Sequence, residues 1–220
     1  MFAHDRDLIA IEPNLFRDVA WLGHRRSAGS ATTSAGEVTI SSFDVNLEDG
    51  QVEAGFVMLI DAVAWEITER LTATTAAISR LRAEPGDDAI LPHDFTGRPY
   101  TIHSMRPQIA LAHRRILRMI GIDPDGAAPG GQPAGVEAPT DASVLNPDGL
   151  RHIEALGALA IIYSAAAALS GPDSTLAARS ALYRHRFNEE RRSAFAVLDL
   201  DGDGEPDATR RLSLLPMRRI

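Results

Sequence analysis

The stretch NPDGLRHIEALGALAIIYSAAAALSGPDSTLAARSALYRHRFNEERRSAFAVL, residues 146–198, decides the fold class of the chain. Asn146-Pro147 supplies a suitable N-cap and first helical residue, and the helix is predicted to run to about Ser170. Gly171-Pro172 interrupts this pattern, and a second, amphipathic helix is predicted to continue to about Leu198. Because the connection is short, we expect the two helices to pack as a long antiparallel helical hairpin.

The first helix of this pair is predicted to be apolar on nearly every side. Its uncharged run, residues 155–172, is near the lower length limit for a membrane span, but Ala dominates it and Gly157 and Ser164 lie inside it. We therefore expect a buried helix and no membrane contact. Such a helix must be covered by its own chain or by neighbouring subunits.

Residues 106–122 also have helical periodicity. Ile109, Ala112, Ile116 and Ile120 recur at spacings of three and four, which makes one apolar stripe. This segment and the hairpin together predict a helical bundle.

Three arginines, Arg114, Arg115 and Arg118, lie off this apolar stripe. They are candidate partner-binding residues, because guanidinium groups can contact phosphate or an acidic partner. A solvated helix face is the commoner meaning of such a run. The second hairpin helix carries a further arginine-rich face, which favours the binding interpretation.

Residues 37–105 change to the period of two that is typical of strands. The candidate strands are residues 37–41, 56–60, 63–71, 75–83 and 100–103. Short strands at this spacing predict a small antiparallel β-barrel-like module.

The N-terminal residues 1–36 are predicted to form a helix and a loop. Leu15, Val19 and Leu22 recur on one helical face, and the run 25–36 is rich in the Ser, Ala, Thr and Gly of a loop.

The predicted architecture is α+β, with four segments in chain order. An N-terminal helix and loop (1–36) precede the β-rich module (37–105). The helical bundle (106–200) contains a Pro-, Gly- and Ala-rich linker (123–145), and an acidic loop and extended C-terminal arm (201–220) follow.

The most specific local motif is the acidic run DLDGDGEPD, residues 199–207. Oxygen ligands at alternate positions with Gly at the sixth are what a Ca²⁺ loop requires. The residues matching loop positions one, three, five, seven and nine are Asp199, Asp201, Asp203, Glu205 and Asp207. Arg210 stands at position twelve, where an EF-hand has a bidentate carboxylate. The run therefore predicts either a Ca²⁺ site or an acidic turn leading to a terminal strand, and no cofactor is required.

Composition and charge exclude several classes of protein. The net charge of -8 argues against a protein that wraps nucleic acid, although DNA can pass such a surface. The absence of cysteine excludes disulfides and thiolate metal sites. Charges begin directly after the first residues, so we expect no secretory signal.

The sequence contains none of the common enzyme motifs, and we expect the protein not to be an enzyme. It has no nucleophile elbow, Walker loop, dinucleotide Gly pattern or zinc-protease helix. His4, Asp5 and Asp7 are expected to be a solvated N-terminus, and His103 and His113 suggest no pair of metal ligands.

The order of these elements resembles that of the head–tail connector (adaptor) proteins of tailed double-stranded DNA phages and related gene transfer agents. The opening DRDLIAIEPNLF, residues 5–16, and the acidic run 199–207 are also similar to segments of phage structural proteins. Typical small adaptors are almost purely helical, so residues 37–105 depart from the family pattern.

The resemblance implies a virion structural protein, assembled in the host cytoplasm, that forms a twelve-fold homo-oligomeric ring under the portal protein. Such a ring extends the channel, lets double-stranded DNA pass without specific binding and docks a stopper or tail terminator. The C-terminal arm would add a strand or an apolar plug to a partner. Its candidate binding residues are Leu212, Leu214, Leu215, Met217, Arg218 and Arg219.

Three other functions stay open from the sequence. The first is a Ca²⁺-binding surface or interaction module. The second is another virion component, such as a tail terminator or a tail-fibre accessory. The third is a hydrolase of unrecognised type, which would require a deep polar pocket.

Overall fold

The computed structural model describes residues 1–124, 139–171 and 173–213. They form an α+β fold that contains a closed barrel of six antiparallel strands and several helices. The chain divides into two compact units. The barrel unit is His4–Arg106, and the helical unit combines Met1–Ala3 with Pro107–Ile220.

The barrel unit starts with three short helical segments and continues with six strands. The helical segments are α1 (Asp5–Ile11), α2 (Leu15–Asp18) and a 3-10 turn (Ala20–Leu22). The strands are β1 (His24–Ser34), β2 (Glu37–Ser41), β3 (Val57–Ile60), β4 (Val63–Arg70), β5 (Thr75–Ser79) and β6 (Phe95–Ser104). Their order is β1-β2-β5-β4-β3-β6, and β6 pairs with β1 to close the barrel. The predicted barrel-like module is therefore confirmed.

One apolar cluster fills the barrel, and alternation along the strands builds it. Val38 and Ile40 of β2, which have polar neighbours on either side, are both buried. Met58 and Ile102 are directly paired across β3 and β6 and have no exposed surface. Closure gives each of the six strands a pairing neighbour on both sides.

Residues 25–36, predicted as a loop, instead form most of strand β1. This strand carries small and hydroxylated residues that pack against its neighbours. Ser27 is 1% exposed, and its hydroxyl lies 2.6 Å from both the Val45 carbonyl oxygen and the Tyr100 hydroxyl. The composition of this segment is typical of a loop, and the partners that make it a strand are too distant in sequence for a local pattern to reveal. The module consequently starts well before residue 37.

The N-terminal region also differs from its prediction. The single helical face expected from Leu15, Val19 and Leu22 is divided between α2 and the 3-10 turn. Asp5, predicted to be solvated, is 1% exposed, and its carboxylate accepts a hydrogen bond from the Met105 N–H at 2.7 Å. Asp5 begins α1, where a carboxylate is favoured by the helix dipole.

The described residues of the helical unit form three long helices and a two-stranded sheet. Its elements are α3 (Arg106–Met119), a 3-10 turn (Asp141–Ser143), α4 (Pro147–Ser170), α5 (Thr175–Ser193), β7 (Phe195–Leu198) and β8 (Ala208–Arg211). The predicted stripe of α3 is confirmed, because its four apolar residues are at most 2% exposed. Most of the predicted linker 123–145 lies outside the described residues.

Helices α4 and α5 pack closely through small and aromatic side chains. The rings of Tyr163 and Tyr183 stack with their centroids 5.5 Å apart. Gly157 lets the Phe187 ring approach, since a Cβ at Gly157 would lie 3.1 Å from the Phe187 ring carbon Cε2. By length and composition alone α4 resembles a membrane span, with a mean hydropathy of 1.7, but 56% of that window is buried in the protein.

The second helix ends earlier than predicted. Residues up to about Leu198 were expected to be helical, but α5 ends at Ser193 and β7 follows. Asn146 occupies the predicted N-cap position of α4 without capping it. Its side chain instead accepts a hydrogen bond from the Val197 N–H at 2.8 Å and donates one to the Phe195 carbonyl at 3.0 Å. These non-local bonds hold β7, which the sequence pattern does not reveal.

Candidate functional site

The acidic loop, residues 199–207, joins β7 to β8. The two strands pair from Phe195 with Arg211 to Leu198 with Ala208, so the loop lies at the far end of a short hairpin. Carboxylate oxygens of Asp199, Asp201 and Asp207 lie within 4.8 Å of one another.

Three of the five predicted ligand residues are thus brought together. The carboxylates of Asp203 and Glu205 are not members of this group. At position seven of a Ca²⁺ loop the expected ligand is the backbone carbonyl of Glu205 and not its side chain. Carboxylate oxygens at this spacing are the donors that a hard cation such as Ca²⁺ prefers.

Backbone N–H groups fix the shape of the acidic loop. Asp199 accepts hydrogen bonds from the Gly202 N–H at 2.7 Å and the Gly204 N–H at 2.9 Å. These bonds hold the pKa of Asp199 below its ordinary value, and the bond from Gly204 has the largest effect. Asp207 accepts from the Leu200 N–H at 2.7 Å.

Mutual repulsion inside the loop acts on Asp201. The Asp203 N–H lowers the pKa of Asp201, but desolvation and the neighbouring carboxylates of Asp203, Asp207 and Asp199 raise it above its ordinary value overall. The loop therefore concentrates negative charge that a cation or a basic partner would stabilise.

Arg210, at the twelfth position of the motif, does not face an ion site. Its Nη1 atom donates to the Ile120 carbonyl oxygen at 2.5 Å. A Cβ on Gly121, which has a φ of +74°, would lie 2.6 Å from the same Nη1 atom. Arg210 thus fastens β8 to the end of α3 and cannot supply the carboxylate of an EF-hand.

The predicted arginine ridge lines a groove beside α3, which we call the arginine groove. Its volume is about 610 Å³, and its lining residues are Leu111, Arg114, Arg115, Arg118, Met119 and Arg191. Arg191 comes from α5, so two helices contribute to the same basic surface.

The Phe187 ring supports two of these arginines. The guanidinium carbon of Arg115 lies 5.4 Å from the ring centroid, and that of Arg191 lies 6.0 Å away. Cation–π contact holds both guanidinium groups at the groove while leaving their donors available. Arg191 was not among the candidate residues of the sequence, because the spacing along α3 gives no information on α5.

A second depression, the α4 hollow, lies between α3, α4 and α5 and has a volume of about 530 Å³. Small residues line most of it. The lining from α3 and α4 is Ala112, Arg115, Gly157, Ala160, Ile161, Ser164 and Ala165, and that from α5 is Arg184, Phe187 and Asn188.

The C-terminal candidate residues fall mostly beyond the described part of the chain. Leu212 is 2% exposed, and its N–H donates to the Ala194 carbonyl at 3.1 Å. Leu214, Leu215, Met217, Arg218 and Arg219 lie outside the described residues.

A buried polar cluster in the helical unit was missed by the sequence interpretation. Glu154 of α4 has no exposed surface, and its Oε2 atom lies 2.8 Å from Nδ1 of His113. Its other oxygen accepts hydrogen bonds from the N–H groups of Phe2 and Ala3, each at 3.1 Å. The available signal was the position of Glu154, the last charged residue before a long uncharged run.

Comparisons of the chain with family models, curated proteins and solved structures found no match.

Proposed function

We propose that the protein is a virion structural protein that acts by assembly and not by catalysis. In this proposal it is a head–tail adaptor that forms a homo-oligomeric ring under the portal protein. The ring extends the DNA channel and docks a stopper or tail terminator. Helices α4 and α5 serve as an antiparallel hairpin that packs between subunits, and the C-terminal arm predicted within residues 201–220 binds a partner.

The observation that carries the proposal is an exposed face on the second half of α4. Ser164 and Ala165 are exposed, and Leu169 keeps 76% of its surface exposed near the end of the helix. Small side chains beside the α4 hollow would let a helix of another subunit approach closely. A ring in which each subunit covers its neighbour would bury this surface.

The charge of the chain supports the proposed passage of DNA. The net charge of -8 would repel the phosphate backbone from most of the surface. A channel wall of this sign does not retain the DNA that moves through it.

Mass photometry and negative-stain electron microscopy of the purified protein test this proposal, alone and with the portal protein from the same genome. We expect rings, either free or bound to the portal. Ala165→Arg places a charge on the exposed face of α4 and should prevent ring formation. The matched control is Ala178→Arg, at an exposed position of α5 outside the α4 hollow.

Two results would contradict the proposal. The first is a wild-type chain that stays monomeric and does not bind the portal. The second is an Ala165→Arg variant that assembles as well as Ala178→Arg. Particles seen only at the distal end of tails would instead support a tail terminator.

The acidic loop favours a second candidate function, a Ca²⁺-binding interaction module. The three clustered carboxylates of Asp199, Asp201 and Asp207 support it. At a Ca²⁺ concentration about tenfold above Kd, binding would add about 1.4 kcal/mol of stability and raise Tm by roughly 3–5 °C. Asp207→Asn should abolish the rise. Equal Tm values with Ca²⁺ and with chelator would exclude this function.

A further inference from the structure

The arginine groove carries a strong local excess of positive charge in an acidic protein. Of the six described residues that line it, four are arginines and none is an acid. Arg114 and Arg115 are exposed, and neither forms an ion pair with any residue that the structure describes. Like charges gathered in a groove repel one another, so an acidic occupant would relieve this repulsion.

Leu111 and Met119 give the groove an apolar part between the guanidinium groups. Leu111 keeps 53% of its surface exposed although it lies on a packed helix. The groove therefore fits a protein segment that offers carboxylates together with some apolar surface, since such a segment satisfies both parts of its lining.

The acidic loop of the same chain has the complementary charge. Asp201, Asp203, Glu205 and Asp207 are exposed, and none of them pairs with a cationic side chain in the described part of the chain. The strands β7 and β8 extend for four residues each, which carries the loop roughly 10 Å from the end of α5. The loop is thus an exposed, negatively charged turn at the end of the β7–β8 hairpin.

We propose that the arginine groove of one subunit binds the acidic loop of a second copy of the chain. This inference rests on the proposed ring and names its subunit contact. Groove and loop are different surfaces of one subunit. The contact is therefore head-to-tail in the sense that the groove of each copy binds the loop of the next copy. A head-to-tail contact repeats from copy to copy and closes into a ring when its rotation allows.

A second copy fits the groove better than nucleic acid does. A strand of DNA approaching the groove would meet the field of a chain whose net charge is -8, and also its exposed acidic loop. A neighbouring subunit brings the acidic loop to the groove at equal stoichiometry, which neutralises both patches at once.

A charge-swap experiment in full-length protein tests the contact. One variant reverses the groove with Arg114→Glu and Arg115→Glu, and the other reverses the loop with Asp201→Arg and Asp203→Arg. We expect each variant alone to self-associate at least about tenfold more weakly than wild type, because attraction becomes repulsion at two positions. Sedimentation velocity over a range of concentrations measures this loss.

Mixing the two variants gives the decisive measurement. Each reversed groove then meets a reversed loop, and each native groove meets a native loop, so alternating subunits should restore assembly. Raising the salt from about 0.05 M to 0.5 M should weaken both the wild-type and the mixed assemblies, because it screens exposed charges.

Matched controls separate the loss of the groove–loop contact from the general effects of charge reversal. Arg186→Glu with Arg192→Glu reverses two arginines that do not line the groove, and Asp148→Arg with Asp173→Arg reverses two acids away from the loop. These controls should keep wild-type association. Circular dichroism checks that every variant is folded.

The outcomes distinguish the inference from the proposed function. If wild type assembles but the mixture does not recover, the groove–loop contact is wrong while the ring proposal stands. If wild type does not assemble and does not bind the portal, both fail. If the groove variant assembles normally but loses binding to a short DNA duplex, the groove is a phosphate site and the inference is overturned.

Discussion

Both oxygens of the Glu154 carboxylate are hydrogen-bonded inside the helical unit. Its Oε2 atom lies 2.8 Å from Nδ1 of His113. The other oxygen receives the N–H groups of Phe2 and Ala3. Glu154 therefore ties the first residues of the chain to α4, and His113 ties it to α3. A buried carboxylate of this kind is compatible with a stable fold only while all of its hydrogen-bond donors are in place.

The first prediction concerns the removal of this carboxylate. Glu154→Ala should lower the free energy of unfolding by about 3–5 kcal/mol, because it leaves buried donors without an acceptor. Glu154→Gln keeps one carbonyl oxygen and should cost about 1–2 kcal/mol. Urea denaturation followed by far-UV circular dichroism measures both. The control is Glu190→Ala, whose side chain is 44% exposed; a loss as large as that of Glu154→Ala would contradict the assigned role.

The second prediction concerns pH and Asp5. Burial raises the pKa of Asp5 to about 6 from the ordinary 3.8, although the Met105 N–H bond opposes the shift. The folded state thus holds this proton more tightly than the unfolded state. The resulting stability is fully present below about pH 3.8 and is lost as pH rises to about 6, a change of about 3 kcal/mol.

Asp5→Asn isolates this effect, because Asn cannot ionise. Relative to wild type, the variant should gain about 3 kcal/mol between about pH 4 and pH 7. The two tryptophans, Trp21 and Trp65, both belong to the barrel unit, so their fluorescence follows its unfolding. Asp148→Asn controls for the loss of a carboxyl group. A stability difference that does not change with pH would contradict the prediction.

Local alternation allowed much of the fold to be predicted. Residues 37–41 and 106–122 show clear periods of two and 3.6, and both elements are present. Strand β1 was missed because its Ser and Thr side chains find partners far along the chain, as Ser27 does in Tyr100. Strand β7 was missed for the same reason, since Asn146 holds it.

The same distinction applies to the candidate sites. The spacing of the acidic run predicts a Ca²⁺ loop, and the carboxylates of Asp199, Asp201 and Asp207 lie close together because a loop is a local structure. The binding of an ion there stays a prediction. The contribution of Arg191 to the arginine groove depends on how α5 packs against α3. Periodicity along a single helix contains no information on that packing.

The third prediction concerns packing at Gly157. A Cβ there would lie 3.1 Å from the Phe187 ring and 3.4 Å from the Ala112 Cβ. Gly157→Ala should change stability by less than about 1 kcal/mol, because better helix propensity offsets a small displacement of Phe187. Gly157→Leu should cost about 1–3 kcal/mol or more through overpacking. Thermal unfolding followed by circular dichroism measures both.

Gly149→Ala is the matched control for this pair. A Cβ at Gly149 would meet only the Asn146 side chain, at 3.4 Å, so the change should stabilise α4 slightly. If Gly157→Leu proves as stable as Gly149→Ala, the close approach of α4 and α5 at Gly157 is wrong.

The fourth prediction concerns Glu66, a fully buried carboxylate in the wall of the barrel unit. Its Oε2 atom accepts from Nε of Arg6 at 2.5 Å, and its Oε1 atom accepts from Nε of Arg82. Arg6 also donates to the Arg82 carbonyl at 2.6 Å, which links all three residues. Both guanidinium groups are largely buried, with side-chain exposures of 6% and 11%.

Glu66→Ala should destabilise the barrel unit by about 3–5 kcal/mol, because it removes the buried carboxylate that Arg6 and Arg82 share and leaves Arg6 only its 3.3 Å ion pair with Asp7. Replacing all three residues at once with apolar residues of similar size, as in Arg6→Met, Glu66→Leu and Arg82→Met, should be much less costly, because the three buried charges are removed together. Asp7 loses its ion pair with Arg6 but keeps the hydrogen bond from the His4 N–H. Urea denaturation followed by tryptophan fluorescence measures both variants. A triple variant less stable than Glu66→Ala would show that the network contributes more than mutual neutralisation.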